Sequence, residues 1–125
     1  MDQATLVGPD ISVASQALQV LDDSGIKPAV AMLIVFPEYD DWRLLLSSPV
    51  LDQNHLLRAY EQVTAALQGR FVGSLVPIFL LPMKDPFIRE LRGLFSKTKD
   101  VAGMRLGGQR IGNRFVSNAY VFRIR

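Results

Sequence analysis

Residues Ala29 to Phe36 read AVAMLIVF, eight consecutive apolar side chains without alternation. Successive side chains of a strand point to opposite faces, so a half-buried strand alternates apolar with polar residues. An unbroken apolar strand must be covered on both faces, or lie centrally in its sheet. The rest of the chain therefore has to provide both neighbouring strands and elements that pack on them.

Helical spacing supplies part of that cover. Ile11, Ala14, Leu18 and Leu21 predict a helix over Ile11 to Ser24, with Asp10 as its cap and Gly25 as its left-handed end. Trp42 to Ser47 follows the apolar run after a five-residue polar break, Pro37-Glu38-Tyr39-Asp40-Asp41, which predicts a hairpin. Asp52 is the expected cap of a second helix reaching Gln68 and ended by Gly69, with Leu56, Tyr60, Val63 and Leu67 as its apolar stripe. Ser74 to Leu81 reads as a strand. Pro77 within it cannot donate to a ladder, so that strand is expected at an edge, bulged, or starting after the proline.

Asp85-Pro86 is a strong helix start, an N-cap followed by proline at the first helical position. Phe87 or Ile88, Leu91, Leu94 and Phe95 form its expected buried stripe. Met104 to Leu106 and Gln109 to Ile111 flank Gly107-Gly108, which predicts a tight hairpin. Phe115 to Ile124 reads as the last strand, with Val116, Tyr120, Phe122 and Ile124 on one face. The expected fold is α+β, one domain over residues 1–125 in the order α-β-β-α-β-α-β-β-β, with three helices on a mixed, largely antiparallel sheet of about five to six strands.

Several function classes fall away on composition. No cysteine is present among 125 residues, which excludes disulfides, thiolate metal sites and a cysteine nucleophile. Met1 to Pro9 lacks the basic patch and apolar run of a secretory signal. The longest apolar stretch, Phe71 to Met83, is too short to cross a bilayer and is interrupted by Gly73, Pro77 and Pro82. A cytoplasmic protein with no membrane association is expected.

The net charge of +2 conceals an asymmetry. Residues 1–83 carry four basic groups against nine acids, whereas residues 84–125 carry ten basic groups against three acids. Such an imbalance speaks to partners and not to fold. Arg105, Arg110, Arg114, Arg123 and Arg125 are all arginine, the side chain suited to bidentate phosphate or carboxylate contacts. The parity of the last strand places Arg123 and Arg125 opposite the Tyr120, Phe122 and Ile124 face, so that with Arg105 or Arg110 they are expected to form one basic sheet face. Phe115 or Tyr120 would add a stacking surface if exposed.

Catalytic patterns are thin. His55 is the single histidine, and Ser47 and Ser48 near it in sequence do not specify a triad, which is defined by geometry. Glu38, Asp40, Asp41 and His55, with Asp52, carry hard donors that suit Mg²⁺ or Mn²⁺, but their spacing matches no standard ligand motif. Gly103, Gly107, Gly108 and Gly112 around Arg105 and Arg110 resemble a phosphate cradle only in composition. A phosphate loop opens a helix, and strands flank this segment. Tyr39 and Trp42 form an aromatic hairpin suited to an interface.

The expected function is a small binding or accessory protein with no catalysis of its own and no cofactor. Its C-terminal arginines would contact an acidic partner, with nucleic acid among the candidates. The alternatives are a protein-interaction subunit that associates with itself or another protein, and a metal-dependent nuclease or phosphoesterase built on Glu38, Asp40, Asp41 and His55.

Overall fold

The computed structural model describes residues 8–39, 41–68 and 75–125. The apolar run forms β1 (Val30–Val35), and every one of its residues is fully buried. It lies in the middle of a five-stranded sheet of order β3-β2-β1-β7-β4, in which β2 is Arg43–Ser47, β3 Ile78–Leu80, β4 Arg105–Leu106 and β7 Asn118–Ile124. The β1–β2, β1–β7 and β4–β7 pairs are antiparallel, and β2–β3 is parallel. A second, two-stranded sheet joins β5 (Gln109–Ile111) to β6 (Arg114–Val116). The expected α+β class, with three helices on a mixed and largely antiparallel sheet, is borne out.

Each face of β1 has its own core. Ala31, Leu33 and Val35, with Leu44 and Leu46 of β2, meet helices α1 (Gly8–Asp23) and α2 (Leu56–Leu67) through Ala14, Ala17, Leu21, Ala59 and Val63. Val30, Met32 and Ile34, with Leu45, meet helix α3 (Pro86–Leu94) and the β5–β6 hairpin through Phe87, Ile88, Leu91, Ile111 and Val116. The sheet is thus the middle layer of three, which is why its central strand carries no polar residue.

Local signals explain most element ends. Gly25 adopts φ +87°, the Gly25 amide donates to the Asp22 carbonyl, and the Ile26 amide donates to the Leu21 carbonyl. These bonds close α1 in the αL reversal that glycine allows without strain. Toward its other end α1 is described from Gly8 on, and Asp10 lies within the helix, in its first turn, and is not the cap. A carboxylate there still suits the positive end of the helix dipole. Asp85 caps α3 through a 2.9 Å bond from the Phe87 amide, with Pro86 next, as expected.

The second helix departs from expectation. Its cap is His55, whose Nδ1 accepts a bond from the Arg58 amide, while Asp52 sits in a short 3₁₀ turn (Leu51–Gln53) and accepts from the Met83 amide. Only Ala59 and Val63 of α2 are buried, and Leu56 is 59% exposed. Leu94 of α3 is likewise exposed. Gly69 and Ser74 lie outside the described residues. The β3 strand starts after Pro77 and forms one edge of the sheet. The hydroxyl of Tyr60 on α2 accepts the Leu80 amide, which blunts that edge against pairing.

The C-terminal strands are arranged differently from the simple hairpin expected. Gly107-Gly108 does not close a hairpin: β4 pairs with β7 in the main sheet, while β5 turns through Gly112-Asn113 onto β6. The segment read as one final strand breaks at Ser117, whose amide donates to the Val35 carbonyl. In β7, Arg123 faces Ala31 but Val121 faces Met32, so Phe122 is an extra residue that shifts the register. This bulge reverses parity beyond it. Tyr120 and Phe122 pack with the α1–α2 core, whereas Ile124 packs with α3.

The same bulge turns Arg123 toward α1. Its guanidinium makes two bonds to the Asp22 carboxylate, of 2.7 and 2.8 Å, and a third to the Pro28 carbonyl. The hydrogen bond from Arg123 holds the Asp22 carboxyl below its usual value of 3.8, against an opposing effect of burial and with help from the charges of Arg123, Arg125 and Lys27. A carboxylate with a lowered folded pKa adds stability that is present above the unfolded value and is lost as pH falls through the folded one. Asp22→Asn is therefore expected to destabilise the fold by about 1 kcal/mol at neutral pH, a figure discounted for solvent screening. The difference from wild type should shrink as pH falls below the ordinary carboxylate range and through the lowered folded pKa of Asp22, which urea unfolding across pH reads directly.

Candidate functional site

The α3 side of the sheet is where the positive charge gathers. Helix α3 buries Phe87, Ile88 and Leu91 and turns Arg89 and Arg92 to solvent. Lys84, Lys97, Lys99 and Arg110 are also exposed in this layer, and Arg114 is half-buried. Its three acids are all committed to backbone amides. Asp85 takes the Phe87 amide, Glu90 the Gly112 amide, and Asp100 the Ala102 amide at 3.0 Å. Among the described residues none pairs with a cation. Among the described residues the ion pairs are Arg58–Glu61 on α2 and Arg123–Asp22 at α1, both on the opposite side of the sheet.

The five arginines expected to share one face are divided between two. Arg110 and Arg114 lie on the β5–β6 hairpin over α3. Arg105 lies opposite Tyr120 with its guanidinium 5.7 Å from that ring, so it belongs to the α1 side of the sheet edge. Arg123 is engaged by Asp22. Arg125 is exposed, and its carbonyl accepts a bond from Arg92 of α3. Phe115 is 39% exposed and stands directly opposite Arg110 in the hairpin, whereas Tyr120 is half-buried.

A second cluster borders this layer at the β1–β2 turn. Phe36 packs edge-on against Phe79 and Phe87, with centroids 5.7 Å apart in each case. Tyr39 packs edge-on against Phe79 at 5.8 Å, and the Arg43 guanidinium lies 3.9 Å above the Tyr39 ring. The Arg114 guanidinium lies 5.4 Å from both the Phe36 and Phe79 rings. Aromatic faces attract such cations without neutralising them. The Nε atoms of Arg43 and Arg114 are both enclosed with no hydrogen-bond partner.

Of the expected aromatic hairpin, Tyr39 is 41% exposed, but Trp42 is buried in the α1–α2 core. The metal-site candidates are dispersed in role. His55 caps α2, Asp41 accepts the Trp42 amide, Glu38 is exposed, and Asp40 lies outside the described residues. Among the described residues no three histidine or acidic groups lie close enough to hold an ion. Ser47 and Ser48 are fully buried, their hydroxyls donating to Met83 Sδ and to the Ile26 carbonyl.

One further surface escaped the sequence. Leu51, Leu56, Ala59, Leu80, Leu81 and Met83 line an apolar groove of about 530 Å³ beyond the carboxyl ends of the parallel strands β2 and β3, with Leu57 67% exposed nearby. Leu56 looked like a core position because its spacing fits the helical stripe. Among the described residues no helix is long and apolar enough to cross a membrane. Compared with protein-family models, curated proteins and solved structures, the chain matches none.

Proposed function

We propose that this chain is a small cytoplasmic binding or accessory protein, without catalysis of its own, that presents its α3 and hairpin layer to an acidic partner. The observation that carries this reading is the use of the layer's acids. Asp85, Glu90 and Asp100 each accept a backbone amide and make no ion pair among the described residues, so seven cations face three carboxylates and the layer keeps a net positive charge. Unneutralised cations on one face attract polyanions, and releasing counterions from the partner supplies the affinity. Arg110 and Arg114 belong to the binding surface in this reading, joined by Arg89 and Arg92 of α3, while Arg105, Arg123 and Arg125 sit at its edge or beyond it.

Fluorescence anisotropy with a labelled heparin oligosaccharide tests it. Binding is expected at about 50 mM salt and should weaken steeply toward 200 mM, as counterion release requires. The double reversal Arg89→Glu, Arg110→Glu should weaken it by about tenfold or more. No salt-sensitive binding would count against the reading. The exposed Leu56 and Leu57 beside the apolar groove favour a second one, an interaction subunit that buries this surface against another protein. A monodisperse monomer in light scattering, with no co-purifying partner, would weigh against it.

A further inference from the structure

We propose that Tyr39, Arg43 and Arg114 form a seat for single-stranded nucleic acid, in which a base stacks on Tyr39 and adjacent phosphates take the free amino groups of the two arginines. The inference rests on the polyanion reading above and narrows it to one class of partner.

The geometry is that of a braced platform. Tyr39 is 41% exposed, yet its ring is held edge-on by Phe79 at 5.8 Å and covered on one face by the Arg43 guanidinium at 3.9 Å. Phe79 is in turn packed at right angles on the fully buried Phe36. An exposed ring so fixed loses little freedom when a flat partner lands on it. The guanidinium beneath it raises the value of stacking, because arginine contributes cation–π attraction to bound bases.

Among the described residues neither Arg43 nor Arg114 makes an ion pair, although Glu38 and Asp41 lie on the same turn as Tyr39. Each has its Nε enclosed without an acceptor, and aromatic rings hold both guanidiniums in place. Partly desolvated cations fixed in position and left without an acceptor match the bidentate geometry of phosphate oxygens. Single strands are favoured over duplex because only unpaired bases offer a free face to a protruding ring. An acidic peptide would use the arginines but would have no use for the Tyr39 ring.

Anisotropy with labelled oligo-dT of about fifteen nucleotides, the corresponding duplex and a heparin oligosaccharide tests the seat. Wild type should bind the single strand about tenfold more tightly than the duplex. Tyr39→Leu should lose about tenfold on the single strand, the scale of one stacked base, and much less on heparin, which offers no base to stack. Tyr39→Phe should restore the single-strand affinity, which separates stacking from any general disturbance of the turn. Arg43→Gln should weaken both ligands. If heparin binds normally but Tyr39→Leu changes nothing on the single strand, the seat is overturned while the polyanion reading stands. That same outcome would point to an acidic protein as the partner. If no ligand binds at all, the broader reading has failed and the seat fails with it.

Discussion

Phe87→Ala is expected to destabilise the fold by about 3–5 kcal/mol, the range for removing a buried phenylalanine. Phe87 is fully buried at the start of α3, and its ring packs edge-on against Phe36 within the same core, on the α3 side of the sheet. Its backbone amide is also the one that Asp85 caps. Removing the ring opens a cavity under the point where the helix, the sheet and the hairpin turn meet, and a rigid sheet cannot collapse to fill it. The loss should therefore fall at the upper end of the range. Urea unfolding would show a lower midpoint with little change in slope. A loss below about 1 kcal/mol would mean that α3 is not held through this residue.

Gly112→Ala should be nearly as damaging, by about 2–5 kcal/mol, for a different reason. Gly112 adopts φ +60°, and a Cβ built on it would lie 2.7 Å from the Pro86 carbonyl oxygen and 2.9 Å from the Phe87 Cα. Both obstacles are backbone, so no side-chain rotation relieves them. The hairpin turn would have to lift from α3, breaking the bond from its amide to Glu90. That frees a carboxylate in the middle of the basic layer. Polyanion binding should then fall together with stability, whereas Phe87→Leu should leave binding nearly intact. A Gly112→Ala protein as stable as wild type would contradict the close packing of turn and helix.

What was legible in the sequence was local. The AVAMLIVF run announced a doubly covered strand, and Asp85-Pro86 announced a helix start, because each signal depends on neighbours in the chain. The parity of the last strand was not legible. It is set by a bulge at Phe122 opposite the Ala31–Met32 step, a matter of how two distant strands share hydrogen bonds. The consequence was functional, since the bulge removes Arg123 from the expected basic face and gives it to Asp22.

Gly107-Gly108 has the composition of a tight hairpin turn, but β4 pairs with β7 and the hairpin turn falls instead at Gly112-Asn113. His55 is not legible as a cap because Asp52, three residues earlier, is the commoner cap type. The Arg43 and Arg114 cluster was hidden for another reason. Its members come from β2, β3, β6 and the turn after β1, and only the folded sheet brings them together.

The central claim is that the α3 and hairpin layer, and not the α1–α2 layer, faces the acidic partner. Amide chemical-shift mapping by NMR, with ¹⁵N-labelled protein titrated with a single-stranded oligonucleotide, tests it most directly. Perturbations should concentrate on α3, the β5–β6 hairpin and the Tyr39–Arg43 turn, and should diminish as salt is raised. Perturbations concentrated on α1 and α2, or none at any salt concentration, would contradict it.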